Sequence, residues 1–491
     1  MVEGPMLRPW QVGLSERIDP ARETPIYMQI IQALIRDIDS GRLTSGTYLP
    51  SSRELATTLG VNRKTVVLAY EDLIAQGWLS SAGTRGTMVS ESLPEPSGRK
   101  PETTAPHLVP AGADYRFAPP PPRPLALPAG PGLKLDEGAP DGRLFPAELL
   151  ARAYRSAVAK ATRTNGFQYR DPRGSPALRE NVSAMLKSQR GLSVTADNIC
   201  ITRGSQNGIF VSAQVLVRPG DAVIVEALTY EPAVAAFRAL GAKVVPVGLD
   251  DEGIVIDDVE AACRTHRVRA VFVTPHHQFP TTVSLRPERR LRLLELARQF
   301  GFAIVEDDYD HEFHFESQPL LPMAGYAPSH VIYVGSLSKL MLPALRIGYV
   351  AAPVSVIEAI AHSVSLTDGM GNTLTEDAAA ELIESGELRR HARKVRQVYA
   401  QRRHSFAAEV ERSLGGLVEY RVPDGGLAFW LRFRGDLDAI EARAQAMGLR
   451  FASSRSFMTR DDAVQGLRIG FASLTEQEAR AGLSALARAA G

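Results

Sequence analysis

The run Val331-Ile332-Tyr333-Val334-Gly335-Ser336-Leu337-Ser338-Lys339, with Pro343 and Arg346 close behind it, sets the architecture of the larger part of the chain. A β-branched segment of strand length ends in a turn that presents two hydroxyls and an amine. Upstream, Ala303-Ile304-Val305 leads into Glu306-Asp307-Asp308-Tyr309-Asp310, which gathers carboxylates at the end of a second predicted strand. That is the edge at which parallel α/β sheets bind ligands. Val223-Ile224-Val225, Val244-Val245-Pro246-Val247 and Ala270-Val271-Phe272-Val273 are further short apolar runs, separated by helical patterns. The alternation predicts a mainly parallel α/β sheet within residues 136–491.

Ile201-Thr202-Arg203-Gly204-Ser205-Gln206-Asn207 leads from a strand into a helix, so the amides of Gly204, Ser205 and Gln206 can face an anion. Alone, this is an ordinary helix start. His276-His277 raises the question of a metal. Neighbours on an extended chain face opposite sides, and no third ligand stands at motif spacing, so no metal site is expected. Cys200 and Cys263, far apart, suggest neither a disulfide framework nor a thiolate cluster. No run of eighteen apolar residues occurs, and the N-terminus with Glu3, Arg8 and Trp10 is unlike a signal peptide, so a soluble cytoplasmic protein is expected.

A chain of 491 residues exceeds the ~250–300 at which single cores stop growing, so more than one domain is expected. Ile26, Ile30, Leu34 and Ile38, stopped by Gly41, predict an amphipathic helix. Ser51-Ser52-Arg53-Glu54 offers a capping box for a second helix that buries Leu55, Ala56 and Leu59 before Gly60. Asn62 caps a third, from Arg63 to Gln76, with Val66, Ala69, Leu73 and Ile74 facing inward and Arg63, Lys64 and Thr65 in its first turn. Trp78-Leu79 and Thr87-Met88-Val89 flank a turn tipped by Thr84 and Arg85, which completes a winged helix-turn-helix over 24–90 behind an N-terminal tail, 1–23. Residues 91–135, with Pro119-Pro120-Pro121-Pro122, read as a proline-rich, semi-rigid linker. The net charge of +1 is an average over unlike parts and decides nothing about nucleic acid.

Leu49-Pro50-Ser51-Ser52-Arg53-Glu54-Leu55-Ala56, Leu59 to Val66, Ala69-Tyr70, Leu73 and Gly77-Trp78-Leu79 resemble the GntR family of winged-helix regulators. The resemblance implies that Arg53, Arg63, Lys64 and Thr65, with Thr84 and Arg85 at the wing tip, approach double-stranded DNA. The Ser336–Lys339 segment and its companions resemble fold-type I aminotransferases, which implies a smaller C-terminal α+β subdomain behind the main sheet. By that resemblance Lys339 forms a Schiff base with pyridoxal 5'-phosphate (PLP). Gly204, Ser205, Gln206, Ser336, Ser338 and Arg346 hold its phosphate, and Asp307, or Asp308 in its place, pairs with the pyridine nitrogen. Tyr230 stacks on the ring, while Tyr309 and the segment of His277 reach the ring oxygen. Arg468, in Gly466-Leu467-Arg468-Ile469-Gly470, binds a substrate or effector carboxylate. Tyr169 lies in a loop that relatives contribute across a homodimer interface.

Head, linker and body in this order resemble the MocR group. What this implies is a transcription regulator whose PLP-bound body senses an amino acid, an amine or PLP itself and switches the DNA-binding heads. Direct-repeat operators suit such an arrangement. The rival is an active aminotransferase carrying an accessory DNA-binding module, and whether half-transamination occurs is open. A third reading is a fold that binds no cofactor. Two departures stand out: Thr282 replaces the glycine of many relatives, and Glu231-Pro232 follows Tyr230 where some gamma-aminobutyrate sensors carry an arginine. Effector identity, target genes and the direction of control are not written in the sequence.

Overall fold

The computed structural model describes residues 14, 17–20, 22, 24–83, 86–94, 113, 115–116, 130–316 and 320–491. The chain divides into two compact units, 1–119 and 120–491. In the first, α1 (Ile26–Asp39), α2 (Ser52–Leu59) and α3 (Arg63–Ala75) precede an antiparallel pair, β1 (Leu79–Ser81) and β2 (Thr87–Val89). The stripe Ile30, Leu34 and Ile38 packs in one core with Leu55, Val66, Ala69, Tyr70 and Leu73. Ser51 Oγ accepts from the Glu54 amide at 3.2 Å, which is half of the predicted capping box; the return bond is not formed among the described residues. Asn62 Oδ1 caps α3 by accepting from the Lys64 amide at 2.9 Å.

One inward assignment is corrected. Ile74 is exposed, because one step past Leu73 turns it about 100° off the buried stripe. Leu59, next to the α2 stop, is half-buried and packs against the head's core. Leu14 is fully buried and Arg17 pairs with buried Asp37 at 2.7 Å, so residues ahead of Thr24 pack on the head. Thr84 and Arg85, and most of the proline-rich segment including Pro119–Pro122, lie outside the described residues.

The second unit opens with β3 (Leu133–Lys134) and continues with β4 (Ile199–Thr202), the helix α4 (Gly204–Leu216), β5 (Ala222–Glu226), α5 (Glu231–Ala239) and β6 (Lys243–Val247). The hairpin of β7 (Leu249–Asp250) and β8 (Gly253–Ile254) leads to β9 (Val268–Val273), β10 (Ala303–Asp308), β11 (Val331–Ser336) and β12 (Gly348–Ala351). Seven of these strands form one sheet in the order β4-β12-β11-β10-β9-β5-β6, parallel except for β12. Both faces are covered, which is why its strands are apolar throughout rather than alternating. Val223, Val225, Ala270, Phe272, Val305 and Val334 enter one core. Ile224, Val271, Val273, Ile304 and Tyr333 enter the other. This period of two carries on past the end of β10, so Asp307 follows Val305 to one face and Asp308 follows Ile304 to the other.

A smaller subdomain is built on the antiparallel strands β13 (Val418–Glu419), β14 (Ala428–Phe433) and β16 (Leu467–Gly470). The helices α6 (Glu387–Leu414) and α7 (Glu476–Ala490) share its core through Tyr399, Phe406, Leu483 and Leu486. β3 pairs in parallel with β15 (Leu449–Arg450), so chain assigned to the linker as far as residue 135 is already part of this subdomain.

Candidate functional site

The site is assembled at the carboxyl ends of β4, β10 and β11. β12 pairs Gly348 with Thr202 of β4. A Cβ on Gly348 would lie 2.4 Å from the Gly204 carbonyl carbon and 2.7 Å from the Ser205 nitrogen, so only glycine lets the strand approach the start of α4. Gly204 itself has φ +78, and a Cβ there would stand 3.1 Å from the Arg346 guanidinium. Arg346 donates to the Arg203 carbonyl at 3.0 Å. The first amides of α4, which lack helical partners, are thus set beside a fixed cation, an arrangement suited to a phosphate. A cavity of about 820 Å³ opens here, lined by Gln206, Arg346, Tyr154, Asn372 and Glu376 among others. Ser336 Oγ accepts from the Ser338 amide at 3.1 Å and holds the turn, while buried Ser338 Oγ has no partner.

Asp307 is 4% exposed, and its Oδ1 has no hydrogen-bond partner. Burial pushes its pKa up to about 8, with the Asp308 and Asp310 carboxylates adding to the rise and Lys339 opposing it. A buried carboxyl with an unsatisfied oxygen is costly unless a cation or donor completes it. Lys339 Nζ donates to the Gly138 carbonyl. Burial lowers the pKa of Lys339, Asp136 and Asp310 oppose this, and Arg468 reinforces it. The shift favours the neutral, nucleophilic amine. Tyr230 meets Phe279 edge-on at 5.3 Å, and burial together with Asp307 lifts its hydroxyl to about 12.

Tyr309 donates to the His277 carbonyl at 2.8 Å and accepts from Arg468 Nη2 at 3.1 Å. Arg468 also donates to the carbonyls of Glu137 and Pro280, each at 2.8 Å, and its guanidinium lies 4.6 Å from the Phe279 ring centre. Two of its five N–H groups remain for a carboxylate. The His277 ring is committed to Asp310, Nδ1 to Oδ1 at 2.7 Å. Electrostatic and hydrogen-bonding contacts therefore link Gly204, Arg346, Tyr230, Asp307, Lys339, Arg468, Tyr309 and His277 in one neighbourhood. The loop Asp136-Glu137-Gly138 went unmarked in the sequence. It serves the site through backbone carbonyls, and its only signal was Gly138-Ala139-Pro140-Asp141, a turn directly after a strand.

Thr282 adopts φ 65, a conformation that suits glycine and strains a β-branched residue. Thr282→Gly is expected to raise stability by about 1 kcal/mol, the relieved strain exceeding the added unfolded-state entropy. Urea denaturation of the two proteins measures this as a higher midpoint at unchanged slope. Beside His276-His277, where the sequence predicts no metal site, His276 meets Asp308 and His311, while both His276 and His277 lie against the His314 ring.

In the first unit Arg53, Arg63 and Lys64 are exposed, with Arg63 and Lys64 in the first turn of α3, and Thr65 is half-buried. Residues 26–89 match "Bacterial regulatory proteins, gntR family", and residues 131–486 match "Aminotransferase class I and II". The chain is 30% identical to the probable rhizopine catabolism regulatory protein MocR of Rhizobium meliloti, over 96% of this chain and 94% of that one. It belongs to the MocR-type regulators of the GntR family. Another relative of this type, the pyridoxine biosynthesis transcriptional regulator PdxR of Corynebacterium glutamicum, is 29% identical over 94% of this chain and 95% of its own length. Among solved structures, the alpha-aminoadipate aminotransferase LysN of Thermus thermophilus, complexed with N-(5'-phosphopyridoxyl)-L-leucine, superposes with a TM-score of 0.67. It shares 27% identity and covers 73% of this chain and 92% of its own. Pyrococcus horikoshii kynurenine aminotransferase gives 0.67 at 28% identity, over 74% and 91%.

This MocR-type chain is a DNA-binding transcription regulator with a PLP-binding body. The unpartnered Asp307 oxygen, the unpartnered Ser338 hydroxyl and the cradle between Gly204 and Arg346 fit the pyridine nitrogen and the phosphate. When bound, the cofactor supplies an electrophilic aldehyde to an amine. Among the described residues no helix is long and apolar enough to cross a membrane.

Proposed function

We propose that an amino acid, an amine or PLP itself, bound in the body, is the signal that this regulator converts into a change of DNA occupancy. The observation that carries it is the pairing of Lys339, held toward its neutral amine, with Asp307 and its unsatisfied oxygen, in a chain that also carries a helix-turn-helix head. Arg346, Ser338 and the α4 amides hold the phosphate. Tyr230 covers the ring, Tyr309 and the His277 segment orient its oxygen, and Arg468 takes the effector carboxylate with its two remaining donors. Residues 24–90 form the DNA-binding domain, 91–132 the spacer and 133–491, from β3 onward, the effector domain. Arg53, Arg63, Lys64 and Thr65 meet DNA, and Thr84 and Arg85 extend the contact. The active form is a cytoplasmic homodimer: Phe167 and Tyr169 are 55% and 91% exposed, aromatic area that a second copy would cover.

Footprinting on the DNA upstream of the chain's own gene, with and without PLP and a panel of amines and amino acids, tests the proposal. A protected operator whose pattern changes with at least one compound is expected. Arg53→Ala with Arg63→Ala should weaken protection at least about tenfold. No preference over random duplex, or a footprint indifferent to every compound, would reject it. Sustained turnover at enzymatic rates with excess amino acid and 2-oxo acid would favour the aminotransferase reading.

A further inference from the structure

On the face of the sheet opposite Asp307 lies a cluster that the cofactor chemistry does not use. Asp308 at the end of β10 is 2% exposed, and it meets His276, 3% exposed, and His311, 6% exposed. One ligand atom from each of these three lies within 4.8 Å of the others. His314 adds a fourth ring, with centroids 5.6 Å from His311 and 5.9 Å from His276.

His276 Nε2 lies 2.5 Å from the Leu320 carbonyl, which can only accept, so Nε2 carries the ring proton. Nδ1 then offers a lone pair. It faces Asp308 Oδ1 at 3.6 Å, and neither atom has a hydrogen-bond partner. Two buried acceptors thus confront one another, which is unfavourable unless a cation lies between them. The other carboxylate oxygen, Oδ2, is already served. Tyr333 donates to it at 2.5 Å, His311 Nδ1 lies 2.9 Å away, and Arg190, itself paired with Glu312, is 3.9 Å off. His314 Nε2 is also without a partner.

We propose that His276, Asp308 and His311, joined by His314, bind a divalent transition ion of the Zn2+ class. Imidazole and carboxylate are the donors such an ion takes, and the buried neutral ring is the liganding form. Bonds of about 2.0–2.1 Å in a tetrahedron place ligand atoms about 3.4 Å apart, so the side chains must close by roughly an ångström. The Leu320 carbonyl and the Tyr333 hydroxyl are the outer contacts that orient such ligands. The ion would tie the end of β10, which carries Asp307, to the segment from Tyr309 to His314.

The test uses full-length, PLP-loaded protein stripped by a chelator and dialysed against Zn2+ or Co2+. One equivalent per chain is expected to survive gel filtration, and Co2+ should give the visible bands of a tetrahedral site. His276→Ala and His311→Ala should each weaken Zn2+ binding at least about tenfold, whereas exposed His404→Ala should not. X-ray absorption of the Zn2+-loaded wild type, which needs no variant to fold, should show imidazole nitrogen and carboxylate oxygen. Failure of the folded wild type to retain either ion overturns the proposal without touching the cofactor assignment. So does a Zn2+ shell without imidazole, or undiminished binding in a folded His276→Ala/His311→Ala double variant.

Discussion

Lys339→Ala is expected to abolish the absorbance band of lysine-bound PLP and, with it, every cofactor-dependent change in the footprint. The amine is held at the end of β11 by Ser336, which fixes the turn, and by the Gly138 carbonyl that accepts from Nζ. Burial lowers its pKa, which favours the neutral, bond-forming amine. Alanine removes the nucleophile and leaves in place Arg346, Ser338 and the α4 amides, which are proposed to hold the phosphate. Equilibrium dialysis should therefore still detect PLP, bound more weakly and with the spectrum of the free aldehyde. Lys339→Arg should fail in the same way, because a guanidinium stays protonated and cannot supply a neutral amine. A persistent band in either variant would mean that another lysine carries the cofactor. The head has its own core, around Leu34, Val66 and Leu73, so basal DNA binding should survive both substitutions.

The parts of this protein that were legible in its sequence are those that side-chain type alone encodes. β5, β9, β10 and β11 are β-branched because they are buried on both faces, and a carboxylate or lysine directly after such a strand is at the ligand edge by construction. β12 escaped notice: Gly348-Tyr349-Val350-Ala351 has the composition of a tight crossing, and Gly348 is there for its closeness to Gly204. The Asp136–Gly138 loop works through carbonyls, which every residue possesses. The histidine cluster needs the parallel register of β9 and β10 to bring His276 beside Asp308 and His311, though Asp308-x-x-His311-x-x-His314 was there to be read. Thr282 shows the converse, since its departure from glycine was visible but its φ of 65 was not.

Asp307→Asn is the second large expected effect. Without cofactor the buried carboxyl keeps its proton to about 8, far above the ordinary value near 4, so the folded chain holds more protons than the unfolded chain between these limits. Stability contributed by this proton is present in full below pH ~4 and is lost as pH rises through the folded pKa, with a slope of at most about 1.4 kcal/mol per pH unit. Glu226 and Glu306, also buried and raised to about 8 and about 7, add slopes of the same sign. The difference between wild type and Asp307→Asn therefore isolates Asp307: denaturation of the cofactor-free proteins from pH 5 to 8 should give a shallower decline in the variant. With PLP the comparison reverses its meaning, because in the proposed arrangement the carboxylate then faces a protonated pyridine nitrogen and is needed in its charged form. Removing one member of a buried ion pair costs about 3–5 kcal/mol, so PLP affinity should fall by roughly two to four powers of ten. Lys339 is untouched, so the band should still form at saturating PLP. If Asp308→Asn weakens PLP binding as much while Asp307→Asn does not, the pyridine partner is Asp308, against the alternation that sends Asp307 to the face shared with α4 and Asp308 to the histidines.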